Sequence, residues 1–223
     1  MKIDRAGIPF VAAALVPAVG LWAFGGFFWA TPFLVLAVAF ALFFRDPDRA
    51  APASTGLVVS PADGRVMVAG SPPPGAAPAG EGDWVQLSIF LSPLDVHINR
   101  IPVGGTVTRV DYKPGSYRAA YRPEATIENE RSEVWIDTPW CPVVFRQITG
   151  VLVRRVVCRV RPGDTVRTGD RMGVMKFGSR IDLFLPAGTA LLVGLGDRVR
   201  AGETVLAQLS GDRPADRGSA ARP

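Results

Sequence analysis

A single histidine, His97, and two cysteines, Cys141 and Cys158, are all the chain has of the side chains that most often bind metals or act as nucleophiles. A two-histidine metal site is therefore impossible, and no cluster of Cys, Asp and Glu replaces it, so no metal is expected. The cysteines lack C-x-x-C spacing and lie in apolar stretches, which argues against a disulfide framework and marks both as reduced core residues. Gly-rich phosphate loops are missing as well. No G-x-G-x-x-G opens a helix and no G-x-x-x-x-G-K-[ST] occurs, which removes nucleotide cofactors. No recognition helix, zinc module or aromatic RNP-like strand accompanies the positive charge, so nucleic acid is not an expected partner.

What the chain does have is length for one domain and an appendage, 223 residues, with a net charge of +5 carried almost entirely by arginine. That balance suits an anionic membrane surface or a phosphate-bearing substrate. From Gly7 to Phe44 there is no charged residue. As one helix this run would be about 57 Å long, nearly twice the hydrocarbon thickness of a bilayer. It must fold back, and Gly25-Gly26 at its middle, with Pro9, Pro17 and Pro32 against a single rod, predict a two-helix membrane hairpin. Lys2 and Arg5 precede the hairpin and Arg45 and Arg49 follow it, so both ends are expected in the cytoplasm and the rest of the chain with them, at the inner membrane. The run is too long for a cleaved signal peptide, and a re-entrant anchor is the alternative to a spanning one.

Beyond residue 50 the sequence reads as mainly β. Leu57 to Ser60 and Arg65 to Ala69 are strands around the turn Pro61-Ala62-Asp63-Gly64, Gly70 to Gly82 is a loop, and Trp84 to Leu91 is strongly β-prone. Thr106 to Val110, Val134 to Asp137, Val143 to Ile148 and Val151 to Val160 continue the pattern. A weak repeat follows, in which Val160 to Met172 and Val193 to Val205 both spell Gly-Asp-x-Val-x-x-Gly, as in a flattened sandwich of biotinyl or lipoyl type. Met172 to Leu185, lying between the repeats, is a hairpin with Lys176-Phe177-Gly178-Ser179-Arg180 at its tip. The expected architecture is a membrane anchor over 1–50, a compact β sandwich or barrel-like catalytic domain over 51–210 with a biotinyl/lipoyl-like hairpin repeat, and a disordered tail over 211–223.

Three features stand out as candidates for chemistry: Asp63 in its turn, His97, and the Gly178-Ser179 tip. Alone, each has an ordinary structural explanation. Together with their surroundings they carry more. Ser60-Pro-Ala-Asp-Gly64, Phe90-Leu-Ser-Pro-Leu-Asp-Val-His-Ile-Asn-Arg-Ile-Pro102, Glu128-Asn-Glu-Arg131, Gln147-Ile-Thr-Gly150 and Phe177-Gly-Ser179 follow one another behind an N-terminal apolar hairpin. In that order they resemble the phosphatidylserine decarboxylase family in its short form, over roughly residues 40 to 210.

The resemblance implies a pyruvoyl-dependent, self-processing proenzyme acting on a membrane phospholipid. The chain would cut itself between Gly178 and Ser179 into a β chain of residues 1–178 and an α chain starting at Ser179, whose serine becomes the pyruvoyl cofactor. The ketone would take the substrate's serine amine as a Schiff base, act as an electron sink while the carboxylate leaves, and give phosphatidylethanolamine. A glycine before the serine permits the close turn the attack needs, and the hydroxyl requires a base, for which a histidine held by a carboxylate is the general solution. Asp63 and His97 match the family positions for such a pair, with His97 also the natural proton donor. Arg100 stands where many longer members have a second histidine, and Phe177 and Arg180 flank the Gly-Ser differently from the longer enzymes. Arg100, Arg131 and Arg180 are the arginines expected to hold the lipid phosphate or carboxylate; an oligomer is open.

Two other readings attach to the same tip. Val174-Met175-Lys176-Phe177 imitates the Met-Lys-Met of a biotin carrier, which would make the chain a membrane-tethered carrier or adaptor and leave Asp63, His97 and Glu128 to Arg131 unexplained. Ser179 with Lys176 would make a Ser-Lys hydrolase.

Overall fold

The computed structural model describes residues 2–79, 82–151, 156–175 and 179–209. The expected tip Lys176-Phe177-Gly178, the tail 211–223 and part of the strand expected from Val151 to Val160 lie outside the described residues; the strands on either side of that tip, Arg171–Met175 and Ser179–Pro186, belong to different sheets, so Met172 to Leu185 is not the paired hairpin the sequence predicts.

The chain opens with a short strand, β1 (Lys2–Ile3), and a 3-10 turn, followed by two helices, α1 (Ile8–Gly25) and α2 (Phe27–Phe43), and then β2 (Arg45–Asp46). The helices part at Gly26, where the paired glycines predict the turn; its φ of 83° suits a residue without Cβ. Pro17 and Pro32 sit inside the helices and do not end them. Ala14, Ala18, Ala30 and Ala37 are buried, and such small residues let two backbones approach closely. Trp22, Phe24, Phe28 and Trp29 remain exposed. With its leading turn the first helix spans 21 residues, Arg5–Gly25, long and apolar enough to cross a membrane.

The remainder is strands: β3 (Leu57–Val59), β4 (Gly64–Gly70), β5 (Trp84–Leu91), β6 (Ile98–Arg100), β7 (Gly105–Lys113), β8 (Arg131–Asp137), β9 (Pro142–Ile148), β10 (Val156–Cys158), β11 (Thr165–Val166), β12 (Arg171–Met175), β13 (Ser179–Pro186), β14 (Arg198–Val199) and β15 (Val205–Gln208), with a one-turn helix, α3 (Ala125–Glu128), before β8. Eight of them form one curled antiparallel sheet in the order β11-β7-β8-β9-β13-β5-β4-β14. A three-stranded sheet, β10-β12-β6, and a pair, β15-β3, stand beside it. Period-2 alternation sends Leu87, Ile89, Leu91, Ile181, Leu183, Val134, Ile136 and Phe145 to one face, where they make the main core. Each such side chain contributes about 1.5–3 kcal/mol on burial.

The Gly-Asp-x-Val-x-x-Gly repeat is real in three dimensions, but it does not build a biotinyl-type sandwich of its own. The Asp164 carboxylate accepts from the Arg161 N–H and that of Asp197 from the Gly194 N–H, each at 2.8 Å. Gly163 and Gly196 bond back to Val107 and Val66. Each copy thus lays a two-residue strand, β11 or β14, along one edge of the eight-stranded sheet and closes it.

The helical hairpin is seated on this β structure. Phe43 and Phe44, at the end of α2, pack with Val96, Ile98 and Val174 in a second apolar cluster. A Cβ on Gly7 would lie 2.3 Å from Phe44, so the seat requires glycine there. Arg159 grips the Asp4 carboxylate with two bonds of 2.7 and 2.6 Å, while Arg171 holds Asp46 and Asp48. Burial alone would raise the Asp4 carboxyl, but the bonds from Arg159 and the Ala6 N–H hold it below its ordinary range.

Candidate active site

Ser179 begins β13 and pairs with Leu91, the last residue of β5. Met175 ends β12, and its N–H donates to the carbonyl of His97 at 3.1 Å. Met175 is therefore beside His97 and Ser179 beside Leu91. The segment joining those two feet, Ser92 to Val96, is folded on itself: the Asp95 N–H bonds the Ser92 carbonyl at 3.0 Å and the Ser92 N–H bonds the Asp95 carboxylate at 2.8 Å. The sequence accordingly brings its hydroxyl and its one imidazole to the same corner.

Both groups are prepared for chemistry. His97 is fully buried, with its ring 4.1 Å from that of Phe43. Its Nδ1 lies 2.9 Å from the Asp95 carbonyl, which can only accept, so Nδ1 carries the proton and Nε2 the lone pair. Burial pushes the His97 pKa down to about 4, Arg45 adding to that fall while the Asp95 carbonyl and carboxylate and, more weakly, Asp63 oppose it. The imidazole is therefore neutral at physiological pH. Its Nε2 and the Oγ of Ser179 are both buried and have no hydrogen-bond partner among the described residues. Unpaired buried polar atoms are costly and mark a site held for a reaction or a ligand.

The two neighbouring amides were quoted in sequence motifs without being singled out. Gln147 pairs with Ile181 on β13, so it shares a face with Ser179 and lies diagonally from it, roughly 7 Å away by strand geometry. Its Nε2 donates to Asn99 Oδ1 at 2.8 Å, leaving Gln147 Oε1 and Asn99 Nδ2 buried and unpaired. The signal available in sequence was a polar residue at an inward position of a strand otherwise reading Val143-Val-Phe.

Asp63 sits at the same end of the sheet, just before Gly64 of β4, but it is not hydrogen-bonded to His97. Arg49 holds both its oxygens, at 2.6 and 2.8 Å, and the Ala201 N–H adds a third bond of 2.8 Å. The group that orients His97 is instead the Asp95 carbonyl. Asp63 reaches the imidazole only through its charge.

The three arginines expected at the substrate are engaged elsewhere. Arg100 is buried and donates to the carbonyls of Gly169 and Pro47, with Asp46 at 3.7 Å. Arg131 and Arg180 both pair with Ile148, and the pleat turns them to the face opposite Ser179. There Arg180 is paired with Asp182, which accepts from Thr126 as well, and Arg131 donates to the carbonyls of Ile127 and Asn129. Gly178 lies outside the described residues. No group of three or more His, Cys, Asp or Glu arranged for a metal is found among the described residues.

Known proteins resemble this chain over most of its length. The family model described as phosphatidylserine decarboxylase matches residues 36–207. A phosphatidylserine decarboxylase proenzyme of Xanthobacter autotrophicus is 44% identical over 215 residues, covering 96% of this chain and 92% of the relative. Proenzymes of the same name from Nitrosomonas eutropha and Nocardia farcinica are 41% and 45% identical, covering 92% and 93% of this chain and 94% and 88% of their own lengths.

Proposed function

The chain belongs to the phosphatidylserine decarboxylase family, and from that membership we propose that it cuts itself between Gly178 and Ser179 and uses the pyruvoyl group so formed to convert phosphatidylserine to phosphatidylethanolamine. It is a carboxy-lyase. The observation that carries the cleavage reading is the pair of buried, unpartnered atoms, Ser179 Oγ and His97 Nε2, at the two feet of one short loop.

His97 is the base. Its Nε2 takes the Ser179 hydroxyl proton as Oγ bonds to the carbonyl carbon of residue 178; the C–N bond breaks and the proton passes to the Ser179 nitrogen. An ester now joins the two residues. Loss of the Ser179 Cα proton expels residue 178 as a carboxylate, ending the β chain, and leaves dehydroalanine. Its imine tautomer is hydrolysed and ammonia departs. Asp63 contributes the charge that favours the imidazolium formed in the first step, and the Asp95 carbonyl keeps the ring in the required tautomer.

The freed polar atoms suit the product of this maturation. Asn99 Nδ2 is a donor without a partner beside the Ser179 face, and Gln147 fixes it. When formed, the pyruvoyl ketone supplies an acceptor for the substrate amine and for the electrons released with carbon dioxide. His97 then delivers a proton to the substrate carbon that lost its carboxylate. A pKa near 4 makes the neutral ring its resting form, so the proton it delivers would be the one that the substrate ammonium gives up as the Schiff base forms. We read residues 1–50 as the membrane anchor and 51–210 as the catalytic domain, placed on the cytoplasmic side of the inner membrane by the basic residues around the apolar hairpin.

Intact-mass measurement tests the proposal. The unmutated protein should separate into two chains, the smaller blocked at its N-terminus, and Ser179→Ala should remain one chain of 23.8 kDa. A folded, unmutated protein that stays whole would overturn it.

A further inference from the structure

Beside the loop that carries His97, a groove runs from the end of α2 to the turn after β14. It comprises two cavities of about 580 and 410 Å³ whose walls share Arg45, Asp63 and Arg200. Arg198 and Leu94 complete the wall of the larger, and Asp95 and Val96, next to His97, line its inner side and that of the smaller. We propose that this groove seats the phosphodiester of the lipid headgroup, with Arg45, Arg198 and Arg200 as its ligands. The inference rests on the decarboxylase reading for the identity of the substrate.

Charge is the first argument. The Arg45 guanidinium donates to the carbonyls of Leu42 and Leu94, each at 2.7 Å, which orient it without neutralising it. Among the described residues Arg198 has no carboxylate within 4 Å, and Arg200 has Glu203 at the edge of that range, 3.9 Å. The acidic side chains of the same walls are already satisfied: Asp63 by Arg49 and the Ala201 N–H, Asp95 by the Ser92 N–H, Asp48 by Lys2 and Arg171. Arg45 and Arg198 thus face the groove without a carboxylate partner among the described residues, and Arg200 with Glu203 only at 3.9 Å, and guanidinium is suited to phosphate oxygens. Arg100 and Arg180, by contrast, have carboxylates beside them, Asp46 and Asp182.

Position is the second. Arg45 follows the last residue of α2 by two, so an inserted hairpin sets it at the headgroup level. Leu94, 84% exposed on the groove's rim, offers an apolar foot at the same height. Arg198 shares a register row with Arg65 and Phe90, so it starts on the face away from Ser179 and reaches the groove at the sheet's edge, where β14 is the last strand. A free anion would need no such placement beside the anchor.

The test measures binding separately from turnover. Dihexanoyl phosphatidylglycerol has the phosphodiester but no amine, so it can bind without reacting. With the full-length processed protein in nonionic detergent, Arg198→Gln/Arg200→Gln should weaken its binding at least tenfold, about 1.4 kcal/mol. The Arg198→Lys/Arg200→Lys protein should recover most of the loss, and inorganic phosphate in large excess should not displace the lipid. Undiminished binding in the glutamine variant overturns the site, and displacement by phosphate overturns the lipid as its occupant. The same preparations, given phosphatidylserine in mixed micelles, should show a raised KM with kcat held. An unmutated protein that binds phosphatidylglycerol through these arginines yet releases no carbon dioxide would keep the site and defeat the decarboxylase reading instead.

Discussion

Replacing Phe43 by alanine asks whether the membrane anchor sets the protonation of His97. The Phe43 ring lies 4.1 Å from the imidazole, and Val96, Ile98 and Val174 pack in the same cluster. In that enclosure the pKa is about 4 against 6.5 for an ordinary imidazole. That difference corresponds to about 3 kcal/mol against the charged ring. Opening the wall to water should return more than half of this and bring the pKa to about 5.5. Cleavage needs the neutral form. At about pH 5 the neutral fraction then falls from about 90% to about 24%, so splitting slows roughly fourfold, whereas at pH 7.5 the two proteins should agree apart from any packing loss. Proenzyme made in a cell-free extract with nonionic detergent, shifted across pH 5–8 and followed on gels, gives the profile. Phe43→Leu keeps the apolar wall and should track the parent. A uniform slowing at every pH reports lost packing alone; a profile for Phe43→Ala parallel to the parent's would refute the coupling.

The same depressed pKa makes folding pH-dependent. Because the unfolded chain takes up a proton at His97 near pH 6.5 and the folded one only near 4, the uncut protein should lose up to about 3 kcal/mol as pH falls through that window, seen as a falling denaturation midpoint for Ser179→Ala that flattens in Ser179→Ala/Phe43→Ala. Asp63→Asn should slow cleavage roughly tenfold by removing the charge that favours the imidazolium, while Arg49→Gln, which frees that charge, should not; equal slowing in both would reduce Asp63 to a partner of Arg49. Asp182→Ala leaves the buried Arg180 charge unpaired and should cost about 3–5 kcal/mol in urea denaturation of the uncut protein; a change under 1 kcal/mol would mean that the pair is open to water.

Much of this architecture was legible because it rests on local rules. The uncharged run and its paired glycines announced the helical hairpin, and the period-2 runs announced β4, β5, β8 and β9 with their ends nearly in place. The Gly-Asp repeat was visible as well, but its meaning was not: identical local turns can close the two edges of one large sheet or build a small sandwich, and only the long-range pairing of β11 with β7 and β14 with β4 decides. Charge and proximity to a motif point to Arg131 and Arg180, yet one step along a strand reverses the face, and Ser179 and Arg180 are one step apart. Arg198 and Arg200 carry no signal in sequence, since what brings them to the groove is the pairing of β14 with β4. Asp63 was placed at the right corner, but sequence cannot tell a carboxylate bonded to an imidazole from one held by Arg49.

The proposed cut falls where the fold can tolerate it. β12, which ends at Met175, belongs to the three-stranded sheet, and β13, which begins at Ser179, to the eight-stranded one. β13 is bound along its whole length, by eight register pairs to β5 and five to β9, and it buries Ile181, Leu183, Phe184 and Leu185. Breaking the bond before Ser179 therefore frees no strand. The segment after the cut stays fixed by the central part of the sheet, while the end of β12 is released from the covalent constraint that held it over His97. A ketone at residue 179 would then be presented from a strand held on both sides by the sheet.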